Sequence, residues 1–278
     1  MSTNSPPIID THVHLDDPRF DIDRDEVYQR AVNNSVIAMI IPAVTQDQWE
    51  LIRSLAEKYT GVFATAGLHP VFCDQHQRSD LDSLEKTLQK QSLTAIGECG
   101  LDGFIEEQTR ETQNFFFTAQ LEMAKQYQLP VIIHARKAVE DVILTLKQHA
   151  INNPQGNGVV HSYNGSLQQA HRLLDLGYKL SFGGPVTYPG SRKLHSLVRK
   201  LPLDAIMLET DAPDQPPNHI PGEPQIKSTE PHTKKRNEPA YINKVLQAVA
   251  TLRSQTAAEI ADTSNCNARE LFSLQLNY

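Results

Sequence analysis

The sequence predicts an α/β chain folded as a (β/α)8 TIM barrel, on three observations. Eight short apolar segments are spaced along its 278 residues. Stretches with helical spacing lie between most of them, and at least five of the eight end in His, Glu or Asp. Strand and helix alternating eight times imply a parallel sheet, and eight units in this length suggest a closed barrel. The expected strands are Ile8–Leu15, Val36–Val44, Phe63–His69, Thr94–Leu101, Val131–Ala135, Gly158–Tyr163, Tyr178–Gly183 and Ile206–Asp211.

The helices announce their ends. Thr45-x-x-Gln48 reads as a capping box opening a helix through Trp49, Ile52 and Leu55. Ser166-x-x-Gln169 opens another, which Gly177 closes just past the helix end. A longer amphipathic stretch from about Glu107 to Gln128 stops before Pro130. Asp21 to Glu26 is expected to cap a helix N-terminus. With no repeat, low-complexity tract or linker in evidence, residues 1–278 are expected to form one barrel domain.

Composition narrows the function. At 39% hydrophobic and 21% charged the chain reads as soluble and globular, with a net charge of −7 that disfavours an unspecific duplex-DNA binder. The first seven residues lack a signal-peptide pattern, and the longest apolar run, Val36 to Val44, is too short to span a bilayer. Cys73, Cys99 and Cys266 are scattered and odd in number, which points to a reducing cytoplasm. No protein partner is indicated.

The strand ends carry the chemistry. In Ile8-Ile9-Asp10-Thr11-His12-Val13-His14, alternation puts Asp10, His12 and His14 on one face, where two imidazoles can grip one metal ion. Asp10 is expected to stand behind them, orienting an imidazole through its other nitrogen. Glu98, in Ala95-Ile96-Gly97-Glu98-Cys99-Gly100-Leu101-Asp102, is a carboxylate in a run that should be buried; it costs too much to ionise there unless it meets a cation. Carboxylates can bridge two metals, whereas Cys99 should alternate away into packing. His134 and His161 are each the first polar residue after a β-branched run. Asp211 closes the eighth strand with Glu209 one layer deeper, a supporting residue; Asp211 can bind metal and accept a proton from the nucleophilic water. Together these ends suffice for two ions, the pattern of a metal-dependent hydrolase. His69 and Arg136 are candidates for the open mouth, Arg136 for a phosphate oxygen. The loop from Ala212 to Pro239 holds seven of the seventeen prolines and follows the last strand, which suits substrate selection. Lys234-Lys235-Arg236 is a short basic run, more in keeping with a solvated surface than with a polyanion contact. There is no G-x-S-x-G elbow, P-loop or G-x-G-x-x-G.

The chain also resembles a known family. Asp10-Thr11-His12-Val13-His14-Leu15-Asp16, Gly67-Leu68-His69-Pro70, Ile96-Gly97-Glu98-Cys99-Gly100-Leu101-Asp102, Leu129-Pro130-Val131-Ile132-Ile133-His134-Ala135-Arg136, Leu208-Glu209-Thr210-Asp211-Ala212-Pro213 and Arg236-Asn237-Glu238-Pro239 are similar to the motifs of the TatD metal-dependent deoxyribonucleases. Gly165 to Ala170 and Thr187-Tyr188-Pro189 resemble its YjjV branch. The resemblance implies a barrel of the amidohydrolase type with a binuclear site. Its ligands would be His12, His14, Glu98, His134, His161 and Asp211, with Glu98 bridging. It further implies phosphodiester cleavage, including 3′ to 5′ trimming of DNA, and magnesium, manganese or zinc. Two departures line the mouth: Gly103 stands where the family often has an aromatic residue, and His161-Ser162-Tyr163-Asn164-Gly165 replaces His-Cys/Gly-Phe-Ser-Gly.

The expected function is therefore hydrolysis of phosphoric esters, by a deoxyribonuclease with two divalent ions per chain that lower the pKa of a shared water. The resulting hydroxide attacks phosphorus and Asp211 receives its proton. Mixed His and carboxylate ligands favour Zn²⁺, Mn²⁺ or Ni²⁺ over Mg²⁺. A lactone, cyclic amide or aminoacyl ester is the alternative substrate, and a binding or scaffold protein with a vestigial site the alternative class.

Overall fold

The computed structural model describes residues 5–105, 109–150, 157–218 and 236–276. Eight parallel strands follow one another in chain order: β1 Ile8–Asp10, β2 Val36–Ile41, β3 Val62–Ala64, β4 Ile96–Asp102, β5 Val131–Arg136, β6 Gly158–Val160, β7 Tyr178–Phe182 and β8 Ile206–Leu208. Ladders run β1-β2-β3 and β4-β5-β6-β7-β8. Backbone hydrogen bonds bridge both seams. Thr94 N–H donates to Ala64 O and Gly97 N–H to Ala66 O on one side; on the other, Thr11 N–H donates to Leu208 O and Asp211 N–H to His12 O. The chain is thus a (β/α)8 barrel.

Between the strands lie α1 Arg24–Asn33, α2 Trp49–Lys58, α3 Arg78–Lys90, α4 Arg110–Tyr127, α5 Val139–Ala150, α6 Leu167–Asp175 and α7 Arg192–Lys200; α8 Ile242–Arg253 and α9 Ala257–Phe272 end the chain. The two capping boxes are present. Ser166 Oγ accepts from Gln169 N while Gln169 Oε1 accepts from Ser166 N. Gln48 Oε1 takes the Thr45 N–H, and a single turn at residues 46–48 leads into α2. Gly177 sits at φ +86°, a left-handed conformation glycine adopts without steric cost. Asp23 occupies the position before α1, as the acidic stretch suggested, but its side chain does not cap the helix. It pairs instead with Arg236 and Arg30, because two guanidiniums attract a carboxylate more strongly than neutral amides do.

Strand alternation sorts the core into two shells. Met39, Ile41, Ile133 and Val160 point outward into the cluster between barrel and helices. Ile9, Ala38, Ile40, Ala95, Ile132, Val159 and Met207 fill the barrel interior and pack against Ala268, Leu271 and Phe272 of α9, which closes the end away from the site. The next inward positions after Ile132, Val159 and Met207 are His134, His161 and Glu209, so the apolar plug grades directly into the polar layer. Several strands are shorter than their apolar runs: β1, β3, β6 and β8 have three residues each. Beyond them the chain turns its polar residues into the mouth instead of continuing the ladder. Cys73, Cys99 and Cys266 are free thiols, and no helix among the described residues is long and apolar enough to cross a membrane.

Candidate metal centre

At the C-terminal end of the barrel a cavity of about 960 Å³ opens over six converging side chains. Glu98 is at its centre, 2% exposed. One carboxylate oxygen, Oε2, is 3.2 Å from His12 Nε2 and 3.8 Å from His14 Nε2. Those two nitrogens are themselves 3.3 Å apart and lie 3.5 and 3.6 Å from Asp211 Oδ1. The other oxygen, Oε1, is 2.9 Å from His134 Nδ1 and 2.8 Å from His161 Nε2. One carboxylate therefore divides its oxygens between two separate groups of ligand-type atoms.

Backbone hydrogen bonds fix this arrangement from below. Glu98 N–H donates to Ala43 O, His161 N–H to Ile133 O and His14 N–H to Ala212 O, so each backbone is tied to β5 or to the segment just past the end of β2 or β8. Cys99, one step from Glu98, is buried among apolar residues, with its thiol directed at Ile132 O.

The electrostatics are those of a site built for positive charge. Burial would raise the Glu98 pKa, but His161, His69 and His12 outweigh it and hold the carboxyl well below the usual range. Burial likewise opposes charge on His161 and His134. Glu98 and Glu209 overcome it for His161, whose pKa is raised, and the Asp102 and Glu98 hydrogen bonds do so for His134. His12, fully buried and stacked on His161 at 3.9 Å, has its pKa lowered by burial and by that neighbour. Four imidazoles and two carboxylates with nitrogens and oxygens 2.8–3.8 Å apart suit divalent ions that take mixed N and O ligands. Among the described residues, three sets of such atoms each lie within 4.8 Å of one another: His12, His14 and Asp211; His69, Glu98 and His134; His12, His161 and Glu209.

The supporting residues differ in part from expectation. Asp10 does not meet an imidazole. Its Oδ1 accepts from the backbone N–H groups of Thr210 and His12, and its Oδ2 from the Thr210 hydroxyl. It locks the start of the Thr210–Ala212 turn, and burial pushes its pKa up to about 8 against those donors. Glu209 accepts from Ser162 N–H and the Ser181 hydroxyl, and its Oε1 is 3.8 Å from His161 Nδ1, attractive but beyond hydrogen-bond reach. His69 lines the cavity, yet its ring is committed. Nδ1 accepts from Val71 N–H, which places the proton on Nε2, 3.0 Å from Glu98 Oε1. Arg136 does face the mouth, half exposed, with Nε on Asp102 and, among the described residues, no hydrogen bond to either Nη.

Two features escaped the sequence reading. Asp102 is fully buried, and its Oδ2 accepts from His134 Nε2 at 2.8 Å and Arg136 Nε at 2.7 Å. A carboxylate behind an imidazole fixes which ring nitrogen faces the metal. The signal was available: Asp102 stands two alternations beyond Glu98 on one strand. The second is a clamp on Asp211. Gln215 Nε2 donates to Asp211 Oδ2, and Gln215 exchanges hydrogen bonds with Ser162. All three residues have positive φ, 55°, 49° and 45°. Non-glycine residues pay of order 1–3 kcal/mol each for a sparsely populated backbone conformation, and such positions cluster at functional sites. Of the Ala212–Pro239 loop, residues 219–235, including Lys234 and Lys235, lie outside the described residues. Its described end is pinned: buried Asn237 donates to the carbonyls of Thr210, Asp214 and Gln215, and Arg236 pairs with Asp23 and Glu238. Arg236 is thus committed to carboxylates of this chain.

The chain is similar to known proteins over nearly its whole length. The family profile "TatD related DNase" matches residues 9–273. The uncharacterized metal-dependent hydrolase YjjV of Escherichia coli is 37% identical over 268 residues, covering 96% of this chain and 98% of its own. Its crystal structure superposes with a TM-score of 0.86 at 36% identity, covering 96% of this chain and 98% of that one. The 3′-5′ ssDNA/RNA exonuclease TatD of Salmonella typhimurium is 30% identical, covering 95% of this chain and 98% of its own.

Proposed function

This chain belongs to the TatD family of metal-dependent hydrolases, and on that premise we propose that it is a two-metal phosphodiesterase, a deoxyribonuclease working from the 3′ end. The observation that carries this reading is the division of Glu98, with Oε2 toward His12 and His14 and Oε1 toward His134 and His161. His12, His14 and Asp211 would hold one divalent ion, His134 and His161 the other, with Glu98 between them. Such ions supply Lewis-acid activation of water and neutralise charge on a phosphoryl group; zinc, manganese or nickel suits these donors better than magnesium.

The remaining steps fall to residues of the chain. Asp211 turns Oδ1 to the histidines while Gln215 holds Oδ2, which keeps the carboxylate in place to take the proton that water loses. Arg136, anchored through Nε, presents its Nη groups to a phosphate oxygen, where a forked pair of charge-assisted hydrogen bonds discriminates phosphate from a neutral carbonyl. That cation favours a phosphoester over the lactone or amide alternative. The free thiols accord with a cytoplasmic enzyme.

Reconstitution with Zn²⁺, Mn²⁺, Ni²⁺ or Mg²⁺, followed by assays on single-stranded DNA, duplex DNA, nucleotide esters and a panel of lactones and amides, tests the proposal. Metal-dependent release of mononucleotides from a 3′ end supports it. Turnover confined to lactones or amides, or binding of close to one ion or none per chain, overturns it.

A further inference from the structure

One aromatic ring in the mouth has no part in the chemistry above. Phe104 is 63% exposed and lines the same cavity as His134, Arg136 and Asp211. A single exposed phenylalanine is ordinary by itself, but this ring stands in the mouth of the site between two cationic side chains that line the same cavity.

The backbone holds it firmly. Phe104 N–H donates to Asp102 Oδ1 at 2.7 Å, and Gly103 N–H donates to Arg136 O at 2.8 Å. A Cβ at residue 103 would come within 2.6 Å of Lys137 O, so this backbone approach admits no side chain there. The Phe104 ring has the Arg136 guanidinium carbon 4.7 Å from its centroid and Lys137 Nζ at 4.6 Å. Asp102 therefore joins three groups: one oxygen orients His134 and Arg136, the other fixes the backbone of the ring.

Resting on the phosphodiesterase reading, we infer that Phe104, with Arg136 and Lys137, is a stacking platform for an unpaired nucleobase next to the scissile phosphate. Arg136 is the link, since it lies against the ring while its Nη groups remain for phosphate. Lys137 has a flexible stem that lets it leave the ring for a neighbouring phosphate. Stacking on an aromatic face accepts any base but needs it unstacked from its neighbours, which makes the substrate a single-stranded end.

The test uses metal-loaded full-length enzyme and 5′-labelled single-stranded oligonucleotides of equal length. One carries every base, one has an abasic tetrahydrofuran unit at the last residue, and one has it at the penultimate residue. Loss of one base–aromatic stack is expected to lower kcat/KM about 5- to 150-fold, chiefly through KM, at one of the two positions. Phe104→Ala should cleave base-bearing and abasic substrates with equal kcat/KM, and Phe104→Trp should restore the difference. Equal rates of wild type on all three oligonucleotides, or discrimination that survives Phe104→Ala, overturns the platform alone. Absence of phosphodiester cleavage by reconstituted wild type rejects the phosphodiesterase reading and the platform with it.

Discussion

Asp102→Asn is the most informative single change outside the metal-facing residues, because no rotamer of asparagine satisfies the site. Oδ2 of the native carboxylate receives His134 Nε2 and Arg136 Nε, while Oδ1 receives Phe104 N–H. All three partners donate. If the amide oxygen replaces Oδ2, the amide nitrogen faces Phe104 N–H, donor against donor; if the amide flips, the nitrogen faces His134 and Arg136. A buried hydrogen bond to a charged group is worth about 1.5–3 kcal/mol. Taking ~2 kcal/mol, and a factor of ten for each 1.4 kcal/mol, metal affinity or turnover should fall about 30-fold, inside the 10- to 100-fold range typical when the partner behind a metal-binding histidine is removed. Competition against a chelator of known affinity measures the metal Kd, and steady-state kinetics on single-stranded DNA measure kcat. The variant should keep its fold, since the site lies above an intact apolar interior, and circular dichroism checks this. Unchanged metal Kd together with kcat within twofold of wild type would refute the role assigned to Asp102 and leave its contacts as packing detail.

Other substitutions separate neighbouring roles. Glu98→Gln should lose most bound metal, measured by inductively coupled plasma analysis, because an amide offers one acceptor oxygen where Glu98 turns two to opposite groups; Cys99→Ala, one residue away in apolar packing, should retain it. Asp211→Asn should keep most of its metal while kcat falls ~10²–10⁴-fold, the usual contribution of a general base; loss of metal in parallel with activity would make Asp211 chiefly a ligand. Asp10 gives a pH signature. Its pKa rises from 3.8 to about 8 on folding, so the folded state is favoured below 3.8 and loses that advantage as pH rises toward 8. Asp10→Asn cannot ionise and can donate to the Thr210 hydroxyl, so its Tm relative to wild type should climb between pH 5 and pH 8; a constant difference across that window would show Asp10 charged throughout.

The barrel and the six converging residues were legible because each lies where one pattern changes to another. His134 and His161 are the first polar residues after β-branched runs, and the interior positions below them, Ile132 and Val159, belong to the apolar plug. Strict alternation carries that inference as far as the ladder lasts. It fails at Asp10, where β1 ends and the carboxylate turns to the Thr210 backbone, 200 residues away in sequence. The clamp of Ser162 and Gln215 on Asp211 was hidden for the same reason: its members are 53 and 4 residues apart and meet only through three left-handed backbone turns. Phe104 carried no signal of its own in the sequence, which shows that position 103 lacks a side chain but not that Lys137 O leaves no room for one there. The His134 and His161 imidazoles can thus be read from periodicity, whereas Glu98 follows a register shift within β4 and His12 and His14 lie beyond the end of β1. The groups that orient those side chains and grip a substrate depend on where chain segments leave the strands. That is the level at which members of one barrel family can differ in substrate while sharing a centre, and Asp102, joined to both His134 and Phe104, is where the two levels meet in this chain.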